Sequence, residues 1–584
     1  MGAREPPDKS APLPNPPFHA GEREPCNIAA SLPQLARAHP DRIAMRCPGR
    51  NGRYDIALTY SQLDSRSDAI AAGLARRGFG RGMRAVLMVR PTPEFFLLMF
   101  ALFKLGAVPV LVDPGIDKRA LRQCFDEAEP HAFIGIPLAH VARILLRWAT
   151  SATHLVTVGS KFGWGGATLA EIENNRRDAG PQLADTRPDD TAAILFTSGS
   201  TGVPKGVVYR HRHFVAQVAM LRDVFGIEAG GIDLPTFPPF ALFDPALGLT
   251  SIIPDMDPTR PARANPHKLL AAIKRFGVTQ LFGSPALIEV LARHGVAMPT
   301  IKHVTSAGAS VPHHVVATMR GLLPDDAQVW TPYGATECLP VAVIEGRELQ
   351  STREATERGA GICVGRPVAP NLVRIIGIRD DAIADWSDAL LVGQGVVGEI
   401  TVAGPGVTDS YFNRNDATLL AKIREQPPLP PAGEGWGEGA SAASDGVRIV
   451  HRMGDLGWVD GKGRLWFCGR KTQRVVTAHA TLCTEQIEPI FNLHPAVRRT
   501  ALVGIGRRGE QRPVLCVELQ QKTPRAEWPR IEEELRHIAD GFVHASSIDA
   551  FLPHPGFPLD IRHNAKIGRE QLALWAGKRL QMPV

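Results

Sequence analysis

The sequence has eight cysteines, at 26, 47, 124, 338, 363, 468, 483 and 516, and no CxxC pair among them. That spacing excludes a zinc ribbon and a disulfide framework, and a reducing, cytoplasmic compartment is expected. Tyrosine is scarce, with five in 584 residues, and no basic stripe carries interleaved aromatics. The formal charge of +7 is interleaved with acids such as Glu94, Asp113 and Glu337, which describes a solvated surface rather than a nucleic-acid footprint. Long apolar runs are missing as well. FFLLMFALF at 95–103 ends at Lys104 and falls short of the ~20 residues that cross a bilayer, so a helix buried against a sheet is expected there. The first 27 residues lack an apolar leader core, and Pro6 stands at the hydroxyl position of a myristoylation signal. A disordered tail is expected over 1–27.

Hydrophobic residues make up 44% of the chain and charged residues 21%, enough for a core, and the length calls for two or more domains. RAVLMV (84–89) reads as a strand, PEFFLLMFALFKLG as a crossover helix and PVLVD (109–113) as the next strand. The rhythm recurs at TAAILFT, followed by RHFVAQVAMLRDVFG, whose Phe214, Val218, Leu221 and Phe225 share one helical face. Such alternation predicts layered α/β architecture. Residues 424–446, rich in Pro, Gly, Ala and Glu, bury too little to offset ordering and read as a disordered insertion. After Gly469 the pattern changes to short strands (TALVGIG, PVLCVEL) and one amphipathic helix (PRIEEELRHIADGF). A boundary near Arg470 to Arg474 therefore separates a large domain, 28–469, from a small α+β domain, 470–584.

ILFTSGSTGVPKG, from Ile194 to Gly206, asks whether it holds a phosphate. It is not a Walker loop: counted from Gly199, the glycine position holds Pro204, and Lys205 precedes Gly206 instead of a hydroxyl. The physics is similar all the same, because small residues expose backbone N–H groups, hydroxyls donate and a lysine meets the remaining charge.

TSGSTGVPKG resembles the phosphate loop of the adenylate-forming superfamily, which comprises acyl-CoA synthetases, nonribosomal adenylation domains and luciferases. Further pieces follow in that family's order: LTYSQLDSRSDAIAAGLARRGFGRG, SAGAS (306–310), YGATE (333–337), GDLG (454–457), GRKTQR (469–474) and HNAKIGR (563–569). The resemblance covers about residues 28–575. It implies the fold of those enzymes, with a mobile small domain, and Mg²⁺ and ATP as cofactors. It assigns Thr197, Ser198, Gly199, Ser200, Thr201, Gly202 and Lys205 to the leaving pyrophosphate. Gly308, Ala309 and Ser310 leave room for a flat purine, and Tyr333, beside Gly334, offers a ring to stack on it. Thr336 is placed to bond the α-phosphate and Glu337 to bind Mg²⁺, a hard ion that bridges phosphates. Asp455 is expected to accept the ribose hydroxyls and Arg470 to contact ribose or phosphate. Lys566 is implied to bridge the substrate carboxylate and the α-phosphate as charge builds. Ala565 replaces the family's glycine beside it. Cys338 reads as a packed thiol.

The acceptor of the second step is the open question. His479 stands where acyl-CoA synthetases carry a glycine that lets pantetheine pass, the hinge pair becomes Thr472-Gln473, and Phe240-Ala241 replaces a Phe-His pair. These departures argue against a thiol route. With YGATECLP they resemble the β-lactone synthetase branch of bacterial long-chain olefin biosynthesis. That branch implies a long-chain 2-alkyl-3-hydroxy acid whose own hydroxyl closes the ring, favoured by effective molarity, and an assembly with a decarboxylase of hydrolase fold and a reductase. Phe240, Ala241, Phe243, Gly283 and Ser284 are expected to line the acyl pocket. An acyl-CoA synthetase or acyl-AMP ligase, and a noncatalytic nucleotide-binding scaffold, remain alternatives.

Overall fold

The computed structural model describes residues 26–49, 51–112, 116–174, 180–197, 204–426, 446–558 and 567–582. Expectations placed on the tail before Cys26, on Ser198, Gly199, Ser200, Thr201 and Gly202, on 427–445 and on Lys566 lie outside the described residues.

The first layer is a sheet of seven strands in the order Ala167–Thr168, His154–Thr157, Ala132–Gly135, Arg84–Met88, Val108–Val112, Thr191–Thr197 and Lys205–Arg210. Neighbours are parallel except for the last pair. Side chains of successive strand residues point to opposite faces, so Ala85 and Leu87 join one core while Val86 joins another. Helix Pro93–Lys104 fills the first of these, every residue but Glu94 being buried. Lys104 is itself buried, and its Nζ reaches Asp64 at 2.5 Å and Asp68 at 2.6 Å. An uncompensated ammonium there would cost several kcal/mol; the two carboxylates are what permit a lysine at the end of the apolar run.

The second sheet carries a parallel run in the spatial order Ile43–Cys47, Thr250–Ile252, Ile232–Pro235, Gln280–Gly283, His303–Ser306 and Gln328–Ala335. Beyond Gln328–Ala335 it continues antiparallel through Cys338–Glu345, Ile362–Pro367, Leu465–Arg470, Arg448–Val459 and Gly398–Ala403. The smaller C-terminal part has its own sheet, Val497–Ile505, Arg512–Leu519 and Ala550–Pro553. It is packed by helices Thr484–Phe491, Trp528–Asp540 and Arg569–Leu580. The α/β class expected from the alternation is the class observed.

Four details correct the sequence reading. A strand, Lys205–Arg210, intervenes between TAAILFT and the following helix, and it pairs antiparallel with Thr191–Thr197, Thr197 opposite Lys205. The strands on either side of the glycine-rich segment are thus antiparallel neighbours. That helix, His211–Phe225, buries His211, His213, Gln217 and Met220 as well as Val218 and Phe225, while Leu221 is only half-buried. Its inner face is more polar than apolar periodicity foretold. Arg424 and Glu425, assigned to the insertion, belong to the strand Lys422–Glu425, because buried Glu425 meets Arg374 at 2.6 Å and Arg448 at 2.9 Å. Cys26 and Asn27 are likewise placed, Asn27 donating to the Phe103 carbonyl at 2.9 Å.

Candidate active site

In open parallel sheets, ligands bind beyond the carboxyl ends of the strands. The carboxyl ends of four adjacent strands here carry four of the expected motifs. Tyr333 to Glu337 ends Gln328–Ala335, SAGAS follows His303–Ser306, Gly283-Ser284 ends Gln280–Gly283, and the Phe240 to Phe243 segment follows Ile232–Pro235. The strand order thus sets the purine candidates beside the acyl candidates.

Thr336 and Glu337 form a two-residue turn, with Ala335 opposite Cys338. Gly334 interrupts the register just before it, and a Cβ there would lie 2.9 Å from the Cys338 carbonyl oxygen, so the close approach requires glycine. The turn is pinned from three directions. Tyr209 donates its hydroxyl to the Thr336 carbonyl, and Thr408 donates its N–H, at 2.9 Å, and its hydroxyl, at 3.1 Å, to the Glu337 carbonyl. Tyr411 donates its hydroxyl to Glu337 Oε1 at 2.6 Å.

Tyr411 reaches this place because residues 410–412 run alongside Lys205–Arg210, Phe412 donating to the Gly206 carbonyl at 2.7 Å. The same pairing puts Lys205 Nζ 5.1 Å from the Tyr411 ring centre. Behind them lies buried Lys422, whose ammonium donates to the Thr408 carbonyl and to its hydroxyl. Burial pushes Lys422 down to about 8, against the pull of Glu337, Asp409 and Cys338. The Cys338 thiol is pushed up to about 12 by burial, and it packs as expected.

Asp455 sits on Arg448–Val459 opposite Arg470 of Leu465–Arg470. Tyr333 donates its hydroxyl to Asp455 Oδ2 at 2.7 Å, and Arg470 Nη1 lies 2.9 Å from Oδ1. Burial raises Asp455 above the ordinary carboxylate range, opposed by Arg470 and Tyr333. Oδ1 is buried against the Arg470 guanidinium. Tyr333 is pushed well up by burial and by Asp455, so it stays a neutral donor. Its ring lies 5.9 Å from Phe467. Gly308 holds φ at +97°, with open space where a Cβ would stand, and Ala309 and Ser310 follow half-buried and exposed.

The acyl candidates divide. Phe240 and Phe243 stand in a chain of rings that starts at Tyr209, stacked on Phe214 at 4.5 Å, and passes from Phe214 to Phe243 at 6.1 Å. Phe240 meets Phe282 at 4.3 Å. Ala241 is buried in the core with Leu247 and Leu249. Gly283 answers a packing need, since a Cβ would lie 2.7 Å from Leu287. The Ser284 hydroxyl is buried without a hydrogen-bond partner. Beneath this wall Asp233 and Asp244 form a buried, hydrogen-bonded carboxyl pair, with Ser251 donating to Asp244. Burial drives both upward, Asp244 to about 7, and Asp244 raises Asp233 further.

His479 lies at the exposed tip of the hairpin Val475–Val476 and Thr481–Leu482, where the Thr477 side chain closes the turn. The preceding segment is tied to the large sheet by Lys471 to Glu399 at 2.8 Å and by Arg474 to Asp380 at 2.7 Å. Sequence reasoning missed Tyr209, Tyr411, Thr408, Lys422 and the Asp233–Asp244 pair. The scarcity of tyrosine was the available signal, because three of the five, Tyr209, Tyr333 and Tyr411, converge here.

No histidine, cysteine or carboxylate among the described residues joins Glu337 in a group of three able to hold a metal unaided. The donor set fits an ion shared with phosphate oxygens rather than a protein cage. No described helix is long and apolar enough to cross a membrane.

The family model for AMP-binding enzymes matches residues 32–412. An olefin β-lactone synthetase of Stenotrophomonas maltophilia is 66% identical over 95% of this chain and 99% of its own. A protein of the same name from Xanthomonas campestris is 65% identical over 95% and 98%. Among solved structures, the o-succinylbenzoate coenzyme A synthetase of Bacillus subtilis in complex with ATP and magnesium superposes with a TM-score of 0.69 at 19% identity, covering 93% of this chain and 98% of that one.

Proposed function

We propose, from the premise that this chain belongs to the AMP-binding enzyme family, that it is an AMP-forming ligase that makes β-lactones from 2-alkyl-3-hydroxy acids. A carboxylate oxygen of the acid attacks the α-phosphorus of ATP, the bond to the bridging oxygen breaks, and pyrophosphate leaves. The 3-hydroxyl oxygen then attacks the acyl carbonyl, its proton passes to solvent or base, and the bond to AMP breaks as the four-membered ring closes. Holding the hydroxyl near the carbonyl replaces a second substrate with a large effective molarity.

The observation that carries this reading is the convergence, where the two large sheets meet, of Asp455, Glu337, Lys205 and the acyl wall. Asp455, paired with Arg470, would accept from the ribose hydroxyls, and the Tyr333 ring and the open space at Gly308 suit a purine. Lys205 and the loop before it take the pyrophosphate, Thr336 the α-phosphate, and Arg470 ribose or phosphate. Lys566 neutralises the oxygens that gain charge as the phosphoanhydride breaks. Glu337, held by Tyr411, is the residue that would bind Mg²⁺, which supplies charge neutralisation between phosphates. Ser284 and the Phe240 to Phe243 wall receive the acid, whose alkyl arms are long. Hinge motion of the small domain, a cytoplasmic setting and assembly with a decarboxylase and a reductase belong to the same proposal.

The test is incubation with Mg·ATP and a long-chain 2-alkyl-3-hydroxy acid, with and without coenzyme A. The expected products are AMP, pyrophosphate and a β-lactone in equal yield whether or not the thiol is present. A thioester that requires coenzyme A would overturn the lactone assignment, and absence of AMP in every arm would overturn the ligase.

A further inference from the structure

Tyr209 touches both halves of the candidate site. It lies on the strand Lys205–Arg210 and is 2% exposed. A buried phenol needs a partner for its hydroxyl, and this one donates to the carbonyl of Thr336, the residue assigned to the α-phosphate. The Gln217 amide donates to the same phenol oxygen at 3.3 Å, so the single hydroxyl proton is turned toward Thr336 and the two bonds reinforce each other. Burial holds the phenol well above its ordinary range, and it stays a neutral donor.

The ring is fixed as firmly as the hydroxyl. Phe214 stacks on it, centre to centre at 4.5 Å and inclined by 16°. Phe214 and Gln217 stand at i and i+3 on the helix His211–Phe225, so they share a face, and that face grips the tyrosine at both ring and hydroxyl. Phe214 also meets Phe243 at 6.1 Å, and Phe240 lies 6.4 Å from Phe243. Phe214, Phe240 and Phe243 are each half-buried, unlike Tyr209. The acyl wall thus ends on a ring that stacks on Tyr209, and Tyr209 ends on the turn that carries Thr336. Parts of a substrate remote from the reacting atoms can be used to align those atoms, and truncated substrates then lose kcat as well as affinity. Misplacing a group by about 1 Å is enough to cost about 10²-fold. An alkyl arm packed against Phe243 confines Phe214, and a confined Phe214 leaves the Tyr209 hydroxyl one position. A short arm leaves Phe214 room, and the pin on Thr336 loosens.

We infer, resting on the reading of this site as an acid-activating ligase, that Tyr209 is a specificity-determining positioning residue. Stacked on Phe214 and bonded to the Thr336 carbonyl, it makes the alignment of Thr336 depend on an alkyl arm packed against Phe243.

The test compares AMP formation from a long-armed 2-alkyl-3-hydroxy acid and from the short-armed 3-hydroxy-2-methylbutanoic acid, each at saturation. Tyr209→Phe keeps the ring and its stack but removes the hydroxyl, whereas Phe214→Leu keeps the hydroxyl and removes the stack. Wild type is expected to show the higher kcat with the long-armed acid. Tyr209→Phe should lower that kcat about fivefold, the scale of one hydrogen bond, with KM for the acid little changed and the short-armed kcat nearly unaltered. The ratio of the two kcat values therefore falls toward one. Phe214→Leu should lower the ratio in the same direction, and the double variant no further than Tyr209→Phe, as expected of residues acting through one contact. ATP affinity, measured by calorimetry without acid, should stay near that of wild type in each variant. Equal wild-type kcat for the two acids, an unchanged ratio in either variant, or an equal loss for both acids would overturn the inference alone. So would collapse of ATP binding in the variants, which would make Tyr209 a packing residue. Absence of AMP from wild type with both acids would overturn the ligase reading and this inference with it.

Discussion

The two halves of the candidate site bury aspartates in opposite ways. On the nucleotide side Asp455 is held between Arg470 and Tyr333, a cation and a neutral donor. On the acyl side Asp233 and Asp244 face each other and Ser251, with no cation among the described residues paired to either, and burial pushes both toward the neutral form. A buried carboxylate stays ionised only when compensated, so the first is equipped to meet a ligand as an anion. The second works as a neutral clasp, joining the strand Ile232–Pro235 to the helix Asp244–Leu247 that follows the pocket wall. Burial of an acid does not by itself mark a functional group; its partners do.

The comparison is broken most directly at Asp455. Asp455→Asn keeps the size but removes the charge facing Arg470, and the KM for ATP is expected to rise at least tenfold, about 1.4 kcal/mol or more, with a lower thermal midpoint. An unchanged KM would remove Asp455 from the nucleotide site. A smaller effect is expected from Tyr411→Phe, which deletes one hydrogen bond to a charged acceptor, worth ~1.5–3 kcal/mol before rearrangement. Titrating Mg²⁺ in the AMP-forming assay should show a several-fold higher requirement with little change in the KM for the acid. An identical Mg²⁺ curve would separate Glu337 from the metal.

The smallest catalytic effect is expected at Asp244, where the readout is stability against pH. Its pKa is raised in the folded state, so the native protein holds a proton that the unfolded chain releases. The pair is therefore most favourable at low pH and loses stability as pH rises above the ordinary carboxylate range, about 4, toward its raised native value. Asp244→Asn abolishes that dependence. Its thermal midpoint relative to wild type should climb between pH 5 and 8, with the KM for ATP unaltered. A constant difference across that range would show that burial does not raise Asp244.

Much of the fold was legible because the elements near the site are locally consistent. TAAILFT forms the strand Thr191–Thr197, and the apolar run before Lys104 forms the helix Pro93–Lys104. KGVVYR does not read as a strand because Gly206, Val207, Val208 and Tyr209, between charged ends, carry no alternation of apolar and polar residues. The helix after it was placed to within a residue, yet its buried His213 and Gln217 contradict a purely apolar face. Their burial depends on neighbours far away in sequence, such as Asp409, 3.8 Å from the His213 ring, and Tyr209. At the site, Tyr333, Glu337 and Asp455 belong to motifs legible in the sequence, whereas Thr408, Tyr411 and Lys422 belong to stretches with no motif of their own.

What the sequence determined alone is the chemistry available at each position. Pro204 and Lys205 remove the loop from the Walker class while leaving it a cation, Gly308 supplies a backbone conformation that other residues resist, and Gly334 permits a close backbone approach. These are properties of single residues and their immediate neighbours. Only the tertiary structure decided which groups are compensated: that Tyr411 crosses to Glu337, that Lys422 closes on Thr408, that Arg470 faces Asp455 while Asp233 faces Asp244. Ionisation and orientation depend on partners brought together by pairing of distant strands, and on the water excluded when they pack. Neither is encoded at any one place in the chain.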